Sequence, residues 1–267
     1  MPRNIIILGM ARSGTSLTTS IFANQGYYVD EDENITPKNH HNPKGFWESQ
    51  RLTALNAELL RATGFSHDNT WRYDEITEEQ VNALRSMQAG EAHRAFIDEF
   101  RQHAPWVWKD PRLSYTLGIW WPLLDQDNTL VLLVRRDPAA IFNSFVRVGW
   151  REDNNEAREA LFERTRQHIE HARRLLERLQ IPFIEIDYAE YNECPDAIAE
   201  RINAAAGLSL SADDIGYDKR FNHDNAKGRW SGHLDRVADM MPSSLVRTIK
   251  RLIPRSILRS LYPERYE

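Results

Sequence analysis

Ile5-Ile6-Ile7-Leu8-Gly9-Met10-Ala11-Arg12-Ser13-Gly14-Thr15-Ser16 decides how the rest of the chain is read. The β-branched run up to Leu8 reads as a buried parallel strand, with apolar layers on both of its faces. Gly9 ends it. Residues 15–24 then read as a helix with Leu17, Ile21 and Phe22 on one side, and Gly26 as its stop. Strand, glycine-containing turn and helix open a phosphate-binding unit, because backbone N–H groups at a helix start point at an anion and the helix dipole favours it. Gly9 and Gly14 keep the spacing of a Walker A loop, but Thr15 stands where that loop carries its lysine. The lysine reaches the β- and γ-phosphates in ATP and GTP enzymes, so its absence argues against a kinase. Arg12 supplies a cation from an earlier position in the loop.

Outward from this unit the pattern repeats. Trp106-Val107-Trp108 reads as a second strand, and Lys109-Asp110-Pro111-Arg112 leaves its end. Residues 129–134 are the clearest core strand, followed by Arg135-Arg136-Asp137-Pro138, with Pro138 at a first helical position. Residues 181–186 form the fourth strand candidate. Helices are expected over 49–62, where Leu52, Leu55 and Leu59 share a face, over 154–179, and over 195–206, which Gly207 ends. Another starts at the capping box Thr77-Glu78-Glu79-Gln80 and runs towards His103. Strands alternating with helices predict a three-layer α/β fold of the P-loop NTPase type, with a mostly parallel central sheet and helices on both faces. Ligands of such sheets gather at the carboxyl ends of the strands. Arg12, Lys109 and Arg136 each follow a strand and are expected to converge on one crevice.

A chain of 267 residues suits one large domain, placed over residues 1–240, with a separate basic tail over 241–267. With 34 Lys and Arg against 39 Asp and Glu, the formal charge is −5, which argues against a general nucleic-acid binder. Cys194 is the single cysteine, so no internal disulfide and no cysteine zinc cluster can form, which fits a reducing compartment. In the tail, Arg247, Lys250, Arg251, Arg255 and Arg259 alternate with Leu, Ile and Val. This reads as a docked C-terminal helix with a solvated face, or as a basic element resting on anionic lipid, interrupted by Pro254. The apolar run from Ile5 to Met10 is too short for a signal peptide, and no stretch approaches the roughly 20 apolar residues of a membrane helix. The expected location is the cytoplasm, with the inner membrane surface as the site of any peripheral contact.

Arg12-Ser13-Gly14-Thr15-Ser16 resembles the [KR]-S-G-T-[ST] loop of the bacterial-type sulfotransferases that use PAPS, 3′-phosphoadenosine-5′-phosphosulfate. The resemblance implies that this loop holds the 5′-phosphosulfate. The run from Leu130 to Pro138, continued to Ser144, is similar to the family's 3′-phosphate motif, in which a serine follows eight positions after an arginine; Arg136 and Ser144 keep that spacing and Arg135 misses it by one. An arginine there gives a forked donor for a phosphate, and a serine about two helical turns on adds a hydroxyl. Asn42-Pro43-Lys44-Gly45-Phe46-Trp47-Glu48 resembles the bacterial N-P-x-G-[YF]-[WF]-E segment, and Trp108-Lys109-Asp110-Pro111-Arg112-Leu113 the K-D-P-R segment. The likeness spans residues 4–148. A later Arg-Lys-Gly loop of the family is incomplete, because Ala226 precedes Lys227-Gly228; Lys227 and Arg229 remain candidates for it.

The resemblance implies sulfuryl transfer from PAPS to a hydroxyl or amine, with PAP as the product. In-line transfer of this kind demands positioning and charge stabilisation, assigned to Arg12 and Lys109, and no metal is expected. Glu48, sheltered by Phe46 and Trp47, is the first candidate for the base; it could equally be an acid at a helix start. Asp110 is the second, or orients Lys109 by an ion pair. His40 and His41 are further candidates in a polar loop, with plain exposure as the alternative. Trp71, Trp106, Trp108, Trp120 and Trp121 either stack on the nucleotide or acceptor or belong to the core. An atypical kinase and a non-catalytic PAPS- or PAP-binding module are the competing readings. The acceptor, a carbohydrate or glycolipid among the options, is expected to lie against residues 30–47 and 65–79.

Overall fold

The computed structural model describes residues 2–38, 42, 45–65 and 76–216. His40, His41, Pro43, Lys44, Trp71, Lys227, Arg229 and the basic tail over 241–267 lie outside the described residues. The first half runs β1 (Asn4–Leu8), α1 (Thr15–Ala23), α2 (Gln50–Arg61), α3 (Glu78–Ser86), α4 (Glu91–Arg101) and β2 (Val107–Lys109). The second runs α5 (Leu113–Trp120), β3 (Thr129–Arg135), α6 (Pro138–Arg147), α7 (Asn155–Arg178), β4 (Phe183–Asp187), α8 (Glu190–Glu193) and α9 (Pro195–Ala206).

The four strands form one parallel sheet in the order β2-β1-β3-β4. Every residue of β1 is buried, as a strand sandwiched between two helical layers requires. Alternation divides its side chains. Ile6 and Leu8, with Val131 and Leu133 of β3, pack against α4, α5 and α7 through Phe96, Phe100, Leu117 and Leu176. Ile5 and Ile7, with Leu130 and Leu132, pack against α1, α8 and α9 through Phe22, Tyr191, Ile198 and Ile202. Each such aliphatic side chain contributes about 1.5–3 kcal/mol on burial. The expected three-layer α/β arrangement is the observed one.

Trp106, Trp108, Trp120 and Trp121 all lie in the α4–α5–α7 layer, so these four serve the core. Trp106 and Trp108 stack with centroids 4.5 Å apart. The single helix expected from Thr77 towards His103 is in fact two helices. α3 stops at Ser86 because Met87 turns extended (φ −77, ψ 151), and α4 restarts after an extended Gly90. Glycine is a poor residue inside a helix, and the break sends Leu84 to a small cluster with Tyr115 and Ile119 while Phe96 and Phe100 reach the sheet. α5 carries no amphipathic signal to announce it, because seven of its eight residues are buried.

The described residues divide into two compact units, 2–136 with 164–216, and 137–163. The first holds the sheet. In the second, Asp137 caps α6 by accepting from the Ala140 N–H at 2.9 Å, with Pro138 as the first helical residue. Phe142 meets Phe162 edge to face there, and Arg158 lies 5.2 Å over the Phe142 ring. No helix among the described residues is long and apolar enough to cross a membrane.

Candidate active site

The turn from β1 into α1 holds two left-handed residues, Arg12 (φ 67) and Gly14 (φ 103). Gly9 and Gly14 are there for space. A Cβ on Gly9 would come within 2.5 Å of the Val134 carbonyl oxygen, and one on Gly14 within 2.2 Å of Tyr188 Cδ2. Gly14 is also the N-cap of α1, where no side chain caps the helix and no acidic residue stands in the first turn. The first-turn N–H groups therefore lack the usual side-chain acceptor. Among the described residues, the fully buried Ser13 hydroxyl has no hydrogen-bond partner either. Both features suit a bound anion.

The two adjacent arginines at the end of β3 separate cleanly. Arg135 turns outward, half exposed, and pairs with Glu185 at 3.0 Å and Asp187 at 3.3 Å. Arg136 turns to the phosphate loop, where Nη1 donates to the Arg12 carbonyl at 3.2 Å. Its guanidinium lies 4.3 Å over the ring of Tyr188. Tyr188 follows β4 directly, and its N–H donates to the Arg135 carbonyl at 2.8 Å. Tyr188 escaped the sequence reading, although its position just past a strand of a parallel sheet is the signal that marked the three cations. Ser144 lies within α6 in the second unit and is buried.

Lys109 ends β2, and its ammonium donates to Glu48 Oε1. Their side chains are 3% and 16% exposed, so the pair is largely removed from water. Glu48 is held by its own segment. Its carbonyl accepts from Thr36 N–H at 2.8 Å, Ile35 and Ser49 form an antiparallel bridge, and Trp47 before it is left-handed (φ 54). Asn42 donates to the Gly45 carbonyl at 2.6 Å and to Ser16 Oγ at 3.4 Å, tying this segment to α1. A left-handed tryptophan is uncommon, and backbone strain of this kind gathers at functional sites.

Two alternatives from the sequence are corrected here. Ser49, not Glu48, caps α2, accepting from Leu52 N–H at 3.1 Å, because Glu48 is turned to Lys109. Asp110 does not pair with Lys109. Its buried carboxylate accepts from Arg112 Nη1 at 2.8 Å, from the Arg112 N–H at 3.1 Å and from Asn56 Nδ2 at 2.9 Å. Asn56 in turn accepts from Thr116 Oγ1 at 2.7 Å and Trp120 Nε1 at 2.8 Å. Nothing in the spacing of α2 distinguished Asn56 from a polar surface residue.

The sheet register assembles these parts. Ile7 pairs with Lys109, and Leu8 with Leu133, so the phosphate loop, Lys109 and Arg136 leave the sheet at one end. Behind the loop, the buried His168 ring approaches the Gly9 backbone and meets the Tyr115 hydroxyl at 3.3 Å. Burial pushes its pKa down to about 3, with His171 adding to the effect and the Gly9 backbone opposing it. Among the described residues, no group of three or more His, Cys, Asp or Glu side chains is placed to hold a metal ion.

Among solved structures, the chain is similar to the sulfotransferase domain from the curacin biosynthetic pathway, at 15% identity over 86% of this chain and 82% of that one, with a TM-score of 0.45. It is also similar to the sulfotransferase STF1 from Mycobacterium tuberculosis H37Rv, at 13% identity over 85% and 77% of the two chains, again with a TM-score of 0.45. No curated protein matches it. The sequence profile described as the sulfotransferase family matches residues 2–212, which is most of the chain, and the protein therefore belongs to the sulfotransferase family.

Proposed function

We propose that this protein transfers a sulfuryl group from PAPS to a hydroxyl or amine of an acceptor, with a carbohydrate or glycolipid among the options, and releases PAP. The observation that carries the reading is the buried Lys109–Glu48 pair at the end of β2, on the same sheet end as an uncapped helix start that lacks acidic residues. A cation and a carboxylate are thus held at the same end of the sheet as the loop between β1 and α1.

The residues fit an anionic nucleotide donor on three grounds. The α1 start offers uncapped N–H groups, the buried Ser13 hydroxyl lacks a partner among the described residues, and Arg136 is directed at the loop. In this reading Arg12, Ser13, Gly14, Thr15 and Ser16 hold the phosphosulfate end, and Arg136 holds the 3′-phosphate. Bound PAPS supplies the sulfuryl group. Lys109 provides a fixed cation for the negative charge that builds on the bridging oxygen, which is the electrostatic stabilisation such transfers need. Glu48 takes the proton from the acceptor O–H or N–H. Asp110 acts at one remove: saturated by Arg112 and Asn56, it fixes the turn that presents Lys109. The same reading makes residues 1–240 one sulfotransferase domain in the cytoplasm, with the basic tail as the point of any membrane contact.

Calorimetric titration with PAP tests the donor, with ATP plus Mg²⁺ as the comparison. PAP should bind without metal, and Arg136→Ala should weaken that binding at least about tenfold. Mg²⁺-dependent ATP binding without PAP binding would overturn the proposal. PAPS turnover against a panel of hydroxyl and amine acceptors then separates an enzyme from a binding module.

A further inference from the structure

A cavity of about 160 Å³ opens among α3, α5 and α7. Five apolar side chains line one part of it, Val81 and Leu84 from α3, Ile119 from α5, Leu175 from α7 and Leu179 just past its end. Tyr115 and His171 make a flat wall, with ring centroids 4.7 Å apart and planes inclined by 33°. Gly118 sits on the α5 side. A Cβ there would meet Leu175 Cδ1 at 3.4 Å, Leu179 Cδ1 at 3.6 Å and Arg178 Nη2 at 3.8 Å, all ordinary contacts. Alanine would therefore fit and would favour the helix. What glycine provides at this position is open volume.

The lining also carries two exposed guanidinium groups, Arg85 and Arg178. Neither has a carboxylate partner among the described residues; Arg85 donates only to Asn82 Oδ1, at 2.7 Å. Arg174, outside the lining, is held by Glu170 at 2.9 Å. His171 is uncharged near neutral pH, its pKa pushed down to about 4 by burial and then by Arg85, Arg174 and Arg178. The field at the cavity is thus positive, and the five aliphatic side chains give it an apolar part beside the two arginines.

We propose that this cavity binds a small aromatic monoanion, an aryl carboxylate or an aryl sulfate ester, with its ring between Leu84, Ile119 and Leu175 and its anionic head at Arg85 and Arg178. The ring buries apolar area that water otherwise touches, and the two arginines present forked donors matched to a carboxylate or sulfate. The site shares no residue with the phosphate loop, so it stands whether or not PAPS is the donor.

Benzoate, phenyl sulfate and neutral phenol, titrated by calorimetry at matched ionic strength, decide the matter. At least one of the two anions should bind saturably and about fivefold tighter than phenol, the ratio that an exposed ion pair worth about 1 kcal/mol gives. Whether benzoate or phenyl sulfate binds tighter identifies the head group. Arg178→Gln should cost about fivefold for the anion and leave phenol unchanged. Gly118→Ala, which the fold accepts, should weaken both. Binding must survive in Arg136→Ala, which excludes the phosphate loop as its location. In the wild type, NMR signals of the His171 ring should shift on saturation, a readout that needs no variant to fold. The absence of saturable binding by either anion up to about 10 mM, beyond any useful affinity, would overturn the proposal. So would phenol binding as tightly as the anions, or anion binding untouched by both Arg178→Gln and Gly118→Ala.

Discussion

Arg136 and Tyr188 form a cation–π pair, the guanidinium 4.3 Å over the ring, while the edge of the same ring occupies the space a Gly14 side chain would need. Tyr188 thus sets the height of the phosphate loop and the aim of its arginine at once. Such a contact is worth about 0.5–2 kcal/mol. Tyr188→Leu should weaken PAP binding by roughly 2–30-fold, as that energy converts. Tyr188→Phe keeps the ring and should stay within about threefold. Calorimetry on both variants checks this, and equal losses would shift the role to the hydroxyl.

Neighbouring arginines should behave differently. Arg136→Ala removes a charge-assisted donor from the loop and should cost at least about tenfold in PAP affinity. Arg135→Ala loses ion pairs that are half exposed, which are worth about 0–1 kcal/mol to the fold, and PAP affinity should be unchanged. Parallel titrations with salt dependence would show it, and a comparable loss in both variants would contradict the assignment.

Glu48→Gln should reduce PAPS turnover by about 10²–10⁴-fold, the usual contribution of a general base, with PAP affinity within a few-fold of wild type. Lys109→Met should also lose turnover, and it leaves Glu48 without its buried partner, so a fall in stability of up to about 3–5 kcal/mol accompanies it. Turnover unaffected in Glu48→Gln would return the base assignment to another group.

Asn56 satisfies Asp110, Thr116 and Trp120 simultaneously. Asn56→Ala strands buried polar groups and should destabilise the fold by roughly 2–4 kcal/mol. Urea unfolding should show a lower midpoint with an unchanged slope. A shift below about 0.5 kcal/mol, the size of a neutral surface change, would show that the network is dispensable.

His168 predicts an acid limb of stability. Its folded pKa is pushed to about 3, below the ordinary value near 6.5, so between these values the unfolded chain binds a proton that the folded chain refuses. Stability should fall as pH drops from about 6.5 towards about 3 and level off below. His168→Gln should flatten this limb in urea melts taken across that range. An unchanged profile would mean the acid sensitivity arises elsewhere.

Much of this architecture is local. The β-branched run before Gly9, the glycine spacing of the loop, the capping box at Thr77 and the proline after Asp137 act over a few residues, so the sheet strands, α1 and the phosphate-binding turn were legible from the chain alone. The break between α3 and α4 and the existence of α5 were not, since Gly90 tolerates either state and a helix buried on nearly all sides has no polar face. The site divides in the same way. Arg12, Lys109 and Arg136 follow from the rule that strand ends of a parallel sheet share an edge, and they needed no coordinates. Which residue each one meets is a three-dimensional matter. Glu48 and Lys109 are 61 positions apart, and Asn56 and Asp110 are 54. A buried charge takes whichever partner the packing brings within reach, because water is no longer there to satisfy it. So sequence determined which groups could carry the chemistry, and tertiary packing decided that Lys109 pairs with Glu48, Asp110 with Arg112, and Arg136 with the ring of Tyr188.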